Sequence, residues 1–274
     1  MNATEKAKAI EVVLAMAERA AAAVSAVYTT DFAVDYKSPA DPVTNADREA
    51  NAIIVEALHH HFPGVPVVAE ESDPSLYAKW RESTACWFVD PLDGTRDFVE
   101  KNGQFAVMIG LAEEGKASLG VVLCPALGRR FAGAPDLGSF EIAADGSRKK
   151  IDVSSTQSAK GGTMLVSRSR PNSTLDGVAA SLGITTARVG SAGLKGIKVA
   201  CAEADAYAHL GQAGYLWDGC APEAIVQGAG GRVTDVHGNA IDYRQPMLGN
   251  ERGMLMTNGN LHDEILAAIA VARS

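Results

Sequence analysis

Apolar positions at Ile10, Val13, Leu14, Met16 and Ala17, then Val24 and Val27, recur at helical spacing and predict an amphipathic helix over residues 5–28. From Thr29 to Pro42 that rhythm stops. The stretch is polar, carries Asp35, Lys37 and Asp41, and reads as an irregular loop. Val43-Thr44-Asn45-Ala46-Asp47 opens a second helix, with Thr44 or Asn45 as cap and Asp47 in the first turn. Its buried stripe is Ala50, Ile53, Ile54, Ala57 and Leu58, and Phe62-Pro63-Gly64 stops it. His59, His60 and His61 end this helix; neighbouring side chains there point about 100° apart and cannot converge on one ion.

Val65 to Ala69 is a short apolar run, hence a buried strand, and it delivers Glu70-Glu71-Ser72 at its end. Residues 73–86 read as a mobile connection. Trp87 to Val89 end a second buried strand, and apolar strands at 105–111 and 118–123 flank the hairpin turn Glu113-Glu114-Gly115-Lys116. Strands over 129–134 and 139–142 continue that sheet, and the polar stretch from Ala144 to Lys150 marks a boundary between parts 1–148 and 149–274. Beyond it the rhythm alternates: strand 164–167, helix 173–182, strand 186–189, an apolar helix through Ala202, strand 206–209, a helix from Trp217-Asp218 to Gly228, and strand 230–235. Such alternation predicts a mixed or parallel sheet between helices.

Composition changes this picture little. The 274 residues can bury a sizeable core as one large domain or two small ones, with 47% apolar and 21% charged residues. Lys and Arg number 25 and Asp and Glu 33, so the net charge of −8 disfavours binding to nucleic-acid polymers. Cys86, Cys124, Cys201 and Cys220 form no Cys-x-x-Cys pair and read as buried thiols of a reducing compartment. Charged residues interrupt the Ala-rich N-terminus, and no apolar run reaches about 18 residues, so neither signal peptide nor membrane span is expected. The expected location is the cytoplasm.

Candidate chemistry centres on residues 87–98, Trp-Phe-Val-Asp-Pro-Leu-Asp-Gly-Thr-Arg-Asp-Phe. Asp90 sits at a strand mouth and Asp93 returns a second carboxylate three residues later. Gly94 permits an unusual backbone, and Thr95 is placed to cap a short helix from Arg96. Two carboxylates and a hydroxyl at a helix N-terminus suit a magnesium-assisted phosphate site. The same dipeptides also make plain surface turns, and Glu70-Glu71 alone reads equally as a solvated loop. Two residues separate Asp90 from Asp93, which breaks the register of a covalent Asp-x-Asp nucleophile loop.

Taken in order, Asp41-Pro-Val-Thr-Asn-Ala-Asp47, Ala69-Glu-Glu-Ser72, Asp90-Pro-Leu-Asp-Gly-Thr95 and Trp217-Asp218 resemble the inositol monophosphatase superfamily of magnesium-dependent, lithium-sensitive phosphomonoesterases. The resemblance covers almost the whole chain, to His262-Asp263-Glu264, and implies an α/β fold, a layered αβαβα sandwich of two subdomains. It further implies that Glu70, Asp90, the Leu92 carbonyl, Asp93 and Asp218 hold two or three Mg2+ ions. Asp47, Thr95 and Glu70 would be catalytic, the first two orienting the attacking water. The N–H groups of Gly94 and Thr95 would hold the transferred phosphoryl group, with Asp93 and Asp218 also touching substrate. A homodimer is implied as well.

Asp93-Gly-Thr-Arg-Asp-Phe98 with Asn102-Gly-Gln-Phe105, Ser167-Arg168-Ser169 and Gly190-Ser-Ala-Gly-Leu-Lys195 are most similar to the 3′(2′),5′-bisphosphate nucleotidase branch. That likeness implies hydrolysis of the 3′-phosphate of adenosine 3′,5′-bisphosphate, with Ser191, Lys195 and Arg168 near the second phosphate and the nucleoside. Inositol monophosphate or a related sugar phosphate is the alternative substrate. Some superfamily members act instead by binding RNA-associated machinery, a role the net charge disfavours. Gly219-Cys-Ala-Pro-Glu223 departs from the family pattern after Trp217-Asp218. Pro222 is expected near the first turn of its helix, and Glu223 either meets sugar hydroxyls or sits on the surface.

Overall fold

The computed structural model describes residues 1–38, 41–77, 79–211 and 214–273, the side chain of Asp41 excepted. Helix α1 (Ala3–Tyr28) starts from a reciprocal cap in which Asn2 and Glu5 each accept the other's backbone N–H. Strands β1 (Val34–Ser38) and β2 (Asp41–Thr44) form an antiparallel hairpin where an irregular loop was expected. Most of β1 faces water, so that strand rests on backbone pairing with β2 and leaves no apolar alternation to read. In α2 (Asn45–His61) the cap is Thr44, and the three terminal histidines are exposed.

Strand β3 (Val67–Ala69) leads to β4 (Ala85–Asp93) through two short 3-10 turns, Pro74–Tyr77 and Trp80–Glu82. The described residues of this connection are anchored: Tyr77 and Trp80 are buried, and the Tyr77 hydroxyl donates to the Ser72 carbonyl at 2.9 Å. After α3 (Thr95–Val99) come β5 (Ala106–Glu113), β6 (Lys116–Cys124), β7 (Arg129–Ala134), β8 (Gly138–Ile142) and β9 (Arg148–Ile151). Strands β3 to β9 lie in sequence order in one sheet, parallel only between β3 and β4. Strand β9 carries that sheet through the polar stretch at 144–150, to Ile151.

The remaining elements are β10 (Thr163–Ser167), α4 (Ser173–Leu182), β11 (Thr185–Val189), α5 (Ala192–Ala200), β12 (Ala206–His209), α6 (Leu216–Gly228), β13 (Arg232–Thr234), β14 (Met254–Thr257) and α7 (His262–Arg273). The second sheet runs β11-β10-β12-β14-β13 and is mixed, with β10 parallel to both β11 and β12. Strand β14 and helix α7 were not expected. Met254-Leu-Met-Thr257 is a short run with no β-branched residue before Thr257, too weak a signal by itself.

Both faces of the first sheet are apolar. Trp87, Val89, Ile109 and Val121 pack beneath α1 and α2, while Phe88, Met108 and Val122 share the central core with α5 and α6. Leu165, Tyr207 and Met256 close that core from the second sheet, whose outer residues Met164, Val166 and Leu255 lie under α4 and α7. Five layers therefore alternate α, β, α, β, α. Gly110 and Gly120 face each other across β5 and β6. A Cβ on Gly110 would lie 2.6 Å from the Ala221 nitrogen, and one on Gly120 2.1 Å from the Ala221 oxygen, so the sheet receives the α6 backbone itself. Cys86, Cys124 and Cys220 are buried free thiols; Cys201 is only half-buried.

Candidate active site

Asp90 follows Val89 on β4 and takes the opposite face, toward α6. Three residues on, a regular strand would turn Asp93 away. Instead the register slips: Asp90 pairs with Met108 and Asp93 with Ala106, so one extra residue at Pro91-Leu92 makes a bulge that returns Asp93 to the face of Asp90. The Leu92 N–H donates to Asp90 Oδ1 at 3.0 Å and fixes that turn. Asp218 arrives from α6, in its first turn, with one oxygen accepting the Tyr215 N–H. Carboxylate oxygens of Asp90, Asp93 and Asp218 lie within 4.8 Å of one another.

Glu70 lines the same cleft from the end of β3, where its N–H donates to the Val89 carbonyl at 3.1 Å, but it is not among the three acids whose oxygens converge within 4.8 Å. Lys37 of the β1–β2 hairpin binds Glu70 at 2.8 Å and also pairs with Glu71. Burial opposes the Lys37 charge, but the two glutamates more than offset it and hold the ammonium above its usual range.

Burial raises the pKa of Asp90 well above the usual carboxylate range, reinforced by Glu70, Asp93 and Asp218. Burial also raises Asp93, against the pull of Lys195, and raises Asp218, with Asp93 adding to the shift. Acids crowded like this keep protons unless a cation neutralises them. The three carboxylates, with no histidine or cysteine among them, are hard oxygen donors that fit a divalent cation of the magnesium kind.

Asp47 and Thr95 flank the acids. Asp47 Oδ2 accepts from the Thr44 N–H at 2.8 Å and the Thr44 hydroxyl at 2.7 Å, while Oδ1 accepts from the Thr95 hydroxyl at 2.9 Å. Burial raises Asp47 in spite of these donors. Thr95 is the first residue of α3 and not its cap; Gly94 caps at φ +91, where a Cβ would sit 2.8 Å from the Gln104 carbonyl. That frees the Thr95 side chain to face Asp47.

Ser191 caps α5, accepting the Leu194 N–H at 3.0 Å, and its hydroxyl donates to Asp93 Oδ2. The Gly193 N–H adds a 2.7 Å bond to the same oxygen. Lys195 is buried, with Nζ 2.6 Å from the Ser191 carbonyl, and burial lowers its pKa to about 8 against the raising effect of Asp93. Arg168 is engaged elsewhere: its Nε donates to Asp97 Oδ1 at 2.8 Å, and its guanidinium also pairs with Glu100.

A cleft of about 560 Å3 spans these groups, lined by Glu70, Asp90, Asp93, Thr95, Ser191, Lys195 and Asp218. Ser169, from the Ser167-Arg168-Ser169 phrase, lines it too, as do Arg170, His209 and Tyr215, which were not expected there. A signal existed. Arg170, Ser191 and His209 stand at or just beyond the carboxyl ends of β10, β11 and β12, where sheets with parallel strands place their ligands.

Two expectations for α6 need correction. Pro222 is its seventh residue, deep in the helix, where it removes the N–H that would bond the Asp218 carbonyl. Glu223 is neither exposed nor at the cleft: it is buried, accepting from Tyr243 at 2.7 Å and Gln227 at 2.9 Å.

The pattern of the inositol monophosphatase family matches residues 5–273. The chain belongs to that family. It is 36% identical over 237 residues to the 3′(2′),5′-bisphosphate nucleotidase CysQ of Salmonella typhimurium, covering 85% of this chain and 93% of that protein. With 3′(2′),5′-bisphosphate nucleotidase 1 of Homo sapiens it shares 31% identity over 258 residues, 80% of each chain. The solved inositol monophosphatase of Anabaena (Nostoc) superposes with a TM-score of 0.79 at 25% identity, over 98% of this chain and 97% of the other. These relatives in the inositol monophosphatase family are phosphoric monoester hydrolases. No described helix is long and apolar enough to cross a membrane.

Proposed function

We propose that the chain is a magnesium-dependent phosphatase that removes the 3′-phosphate of adenosine 3′,5′-bisphosphate. The observation that carries the chemistry is the convergence of Asp90, Asp93 and Asp218 within 4.8 Å beside the Thr95–Asp47 pair. Likeness to bisphosphate nucleotidases supports the substrate. Glu70, Asp90, Asp93, Asp218 and the Leu92 carbonyl would hold the ions, two or three in number. When bound, such ions would stabilise negative charge on the attacking and leaving oxygens and lower the pKa of water.

The chain's own groups supply the rest. Thr95 gives its proton to Asp47 and turns its lone pairs to the attacking water, while buried Asp47, with its raised pKa, is suited to take a proton. First-turn N–H groups of α3 have no carbonyl within the helix to meet and face the transferred phosphoryl group. The Ser191 hydroxyl and the Gly193 N–H hold Asp93 in place, and buried Lys195 adds positive charge near it. Arg168 acts through Asp97, and Arg170, which lines the cleft, faces the second phosphate.

The test is phosphate release from adenosine 3′,5′-bisphosphate and from inositol 1-phosphate, each with and without magnesium. Magnesium-dependent preference for the nucleotide is expected. Equal or better turnover of inositol phosphate would overturn the substrate, and turnover indifferent to chelator would overturn the metal.

A further inference from the structure

Next to the carboxylates the cleft meets an aromatic surface that phosphate transfer does not use. Tyr215 and Trp217 stack with ring centroids 4.6 Å apart and planes 16° from parallel. Both line the cleft, yet Trp217 is 7% exposed and Tyr215 is 42% exposed. Tyr215 is also the one exposed large apolar side chain, among the described residues, that lines this cleft. One ring face rests on Trp217, so the exposure belongs to the other face and the edge.

The ring is held on a fixed backbone. Tyr215 bridges to Gly249, Leu216 N donates to Leu248 O at 2.9 Å, and Asn250 N donates to Gly214 O at 2.8 Å. Its own N–H donates to the Asp218 carboxylate. A rigid, half-covered aromatic at the mouth of a polar cleft is preorganised for a flat, apolar partner, because no ordering cost remains. Tyr215 is the N-cap residue of α6, three positions before Asp218, and both line the same cleft. A nucleoside sets its base one pentose away from its 3′-phosphate.

We propose that Tyr215, backed by Trp217, is the stacking platform for the nucleobase and thereby separates nucleotides from polyol phosphates. This rests on the reading of the site as a nucleotide phosphatase. A base has a π face to lay on the ring; an inositol ring has none.

The experiment compares wild type, Tyr215→Ala and Tyr215→Phe on adenosine 3′,5′-bisphosphate and on a base-free deoxyribose 3,5-bisphosphate. Calorimetric titration with adenosine 5′-monophosphate provides a readout independent of turnover. Tyr215→Ala is expected to raise KM for the nucleotide and Kd for the monophosphate roughly tenfold, with the loss confined to substrates that carry a base. Tyr215→Phe restores both values. A tenfold loss on both substrates would mean that the ring only positions Asp218, and unchanged values would mean that no base lies on it; either overturns the platform. If the wild type hydrolyses neither substrate yet binds the monophosphate through Tyr215, the phosphatase reading fails and the platform stands. Failure of wild type to bind the monophosphate overturns the platform.

Discussion

The Thr95 hydroxyl lies 2.9 Å from Asp47 Oδ1 and 3.1 Å from the Leu92 carbonyl, tying the first turn of α2 to the bulge that carries the acids. A hydroxyl has one proton to give, so it serves one of these acceptors at a time. Thr95→Ala removes the donor and leaves both carboxylate cap bonds from Thr44 intact. We expect kcat to fall by about 10²–10⁴ with little change in melting temperature. Phosphate release and a thermal melt on the same preparation decide it, and a kcat within threefold of wild type would remove Thr95 from the water-orienting pair.

Asp93→Asn keeps an acceptor for Ser191 and Gly193 but removes one of the crowded negative charges. The metal-free variant should melt higher than metal-free wild type, since less charge is forced together. Magnesium should raise the wild-type melting temperature and leave the variant's nearly unmoved, because a ligand that binds only the folded state adds about 2.7 kcal/mol at 100 times its Kd. Equal magnesium shifts in both proteins would exclude Asp93 as a ligand.

Gly214 has φ +88, and a Cβ there would come 2.2 Å from Asp218 Oδ2. Gly214→Ala therefore combines backbone strain of about 1 kcal/mol with displacement of a cluster oxygen. Gly211, at φ +71 with open space around it, is the control for strain alone. Calorimetry should show magnesium affinity at least tenfold weaker in Gly214→Ala and unchanged in Gly211→Ala. Equal behaviour of the two variants would show that Asp218 adjusts without cost.

Burial raises the pKa of Glu223 from 4.5 to about 7, against the lowering effect of hydrogen bonds from Tyr243 and Gln227. The folded state therefore binds the proton more tightly than the unfolded chain between these values. Stability is greatest below pH 4.5 as far as this group is concerned, and falls as pH rises toward 7, by on the order of 3 kcal/mol. Glu223→Gln carries no such charge. Chemical denaturation should find the variant more stable than wild type at pH 8 and close to it at pH 5; a difference that does not grow with pH refutes the assignment.

Most of the helices and the first sheet could be read from apolar spacing, because Trp87, Ile109 or Ala50 must face a core to be where they are. The acids of the cluster were legible through four short phrases in order. What stayed hidden has physical reasons. Strand β1 buries almost nothing, so Lys37 gave no hint that it meets Glu70. Arg168 and Arg170 are two residues apart on one polar stretch, and only the position of Asp97 decides which of them turns from the cleft. Pro222 broke a helical rule whose offset lies on another helix: a Cβ at Gly196 would stand 2.6 Å from the Pro222 Cβ, so α5 makes room for the ring. The exposed ring of Tyr215 looked like any surface tyrosine until its stack with Trp217 was seen.

The facing glycines of β5 and β6 act as a caliper. Asp90 and Asp93 belong to the sheet and Asp218 to the helix lying on it, so the gap between the two jaws equals the thickness of whatever separates Ala221 from Gly110 and Gly120. Here that thickness is a pair of hydrogen atoms. A single methyl group at either position would open the jaws from behind, at residues that touch neither ion nor substrate, and the reaction would lose its grip without any loss of a ligand.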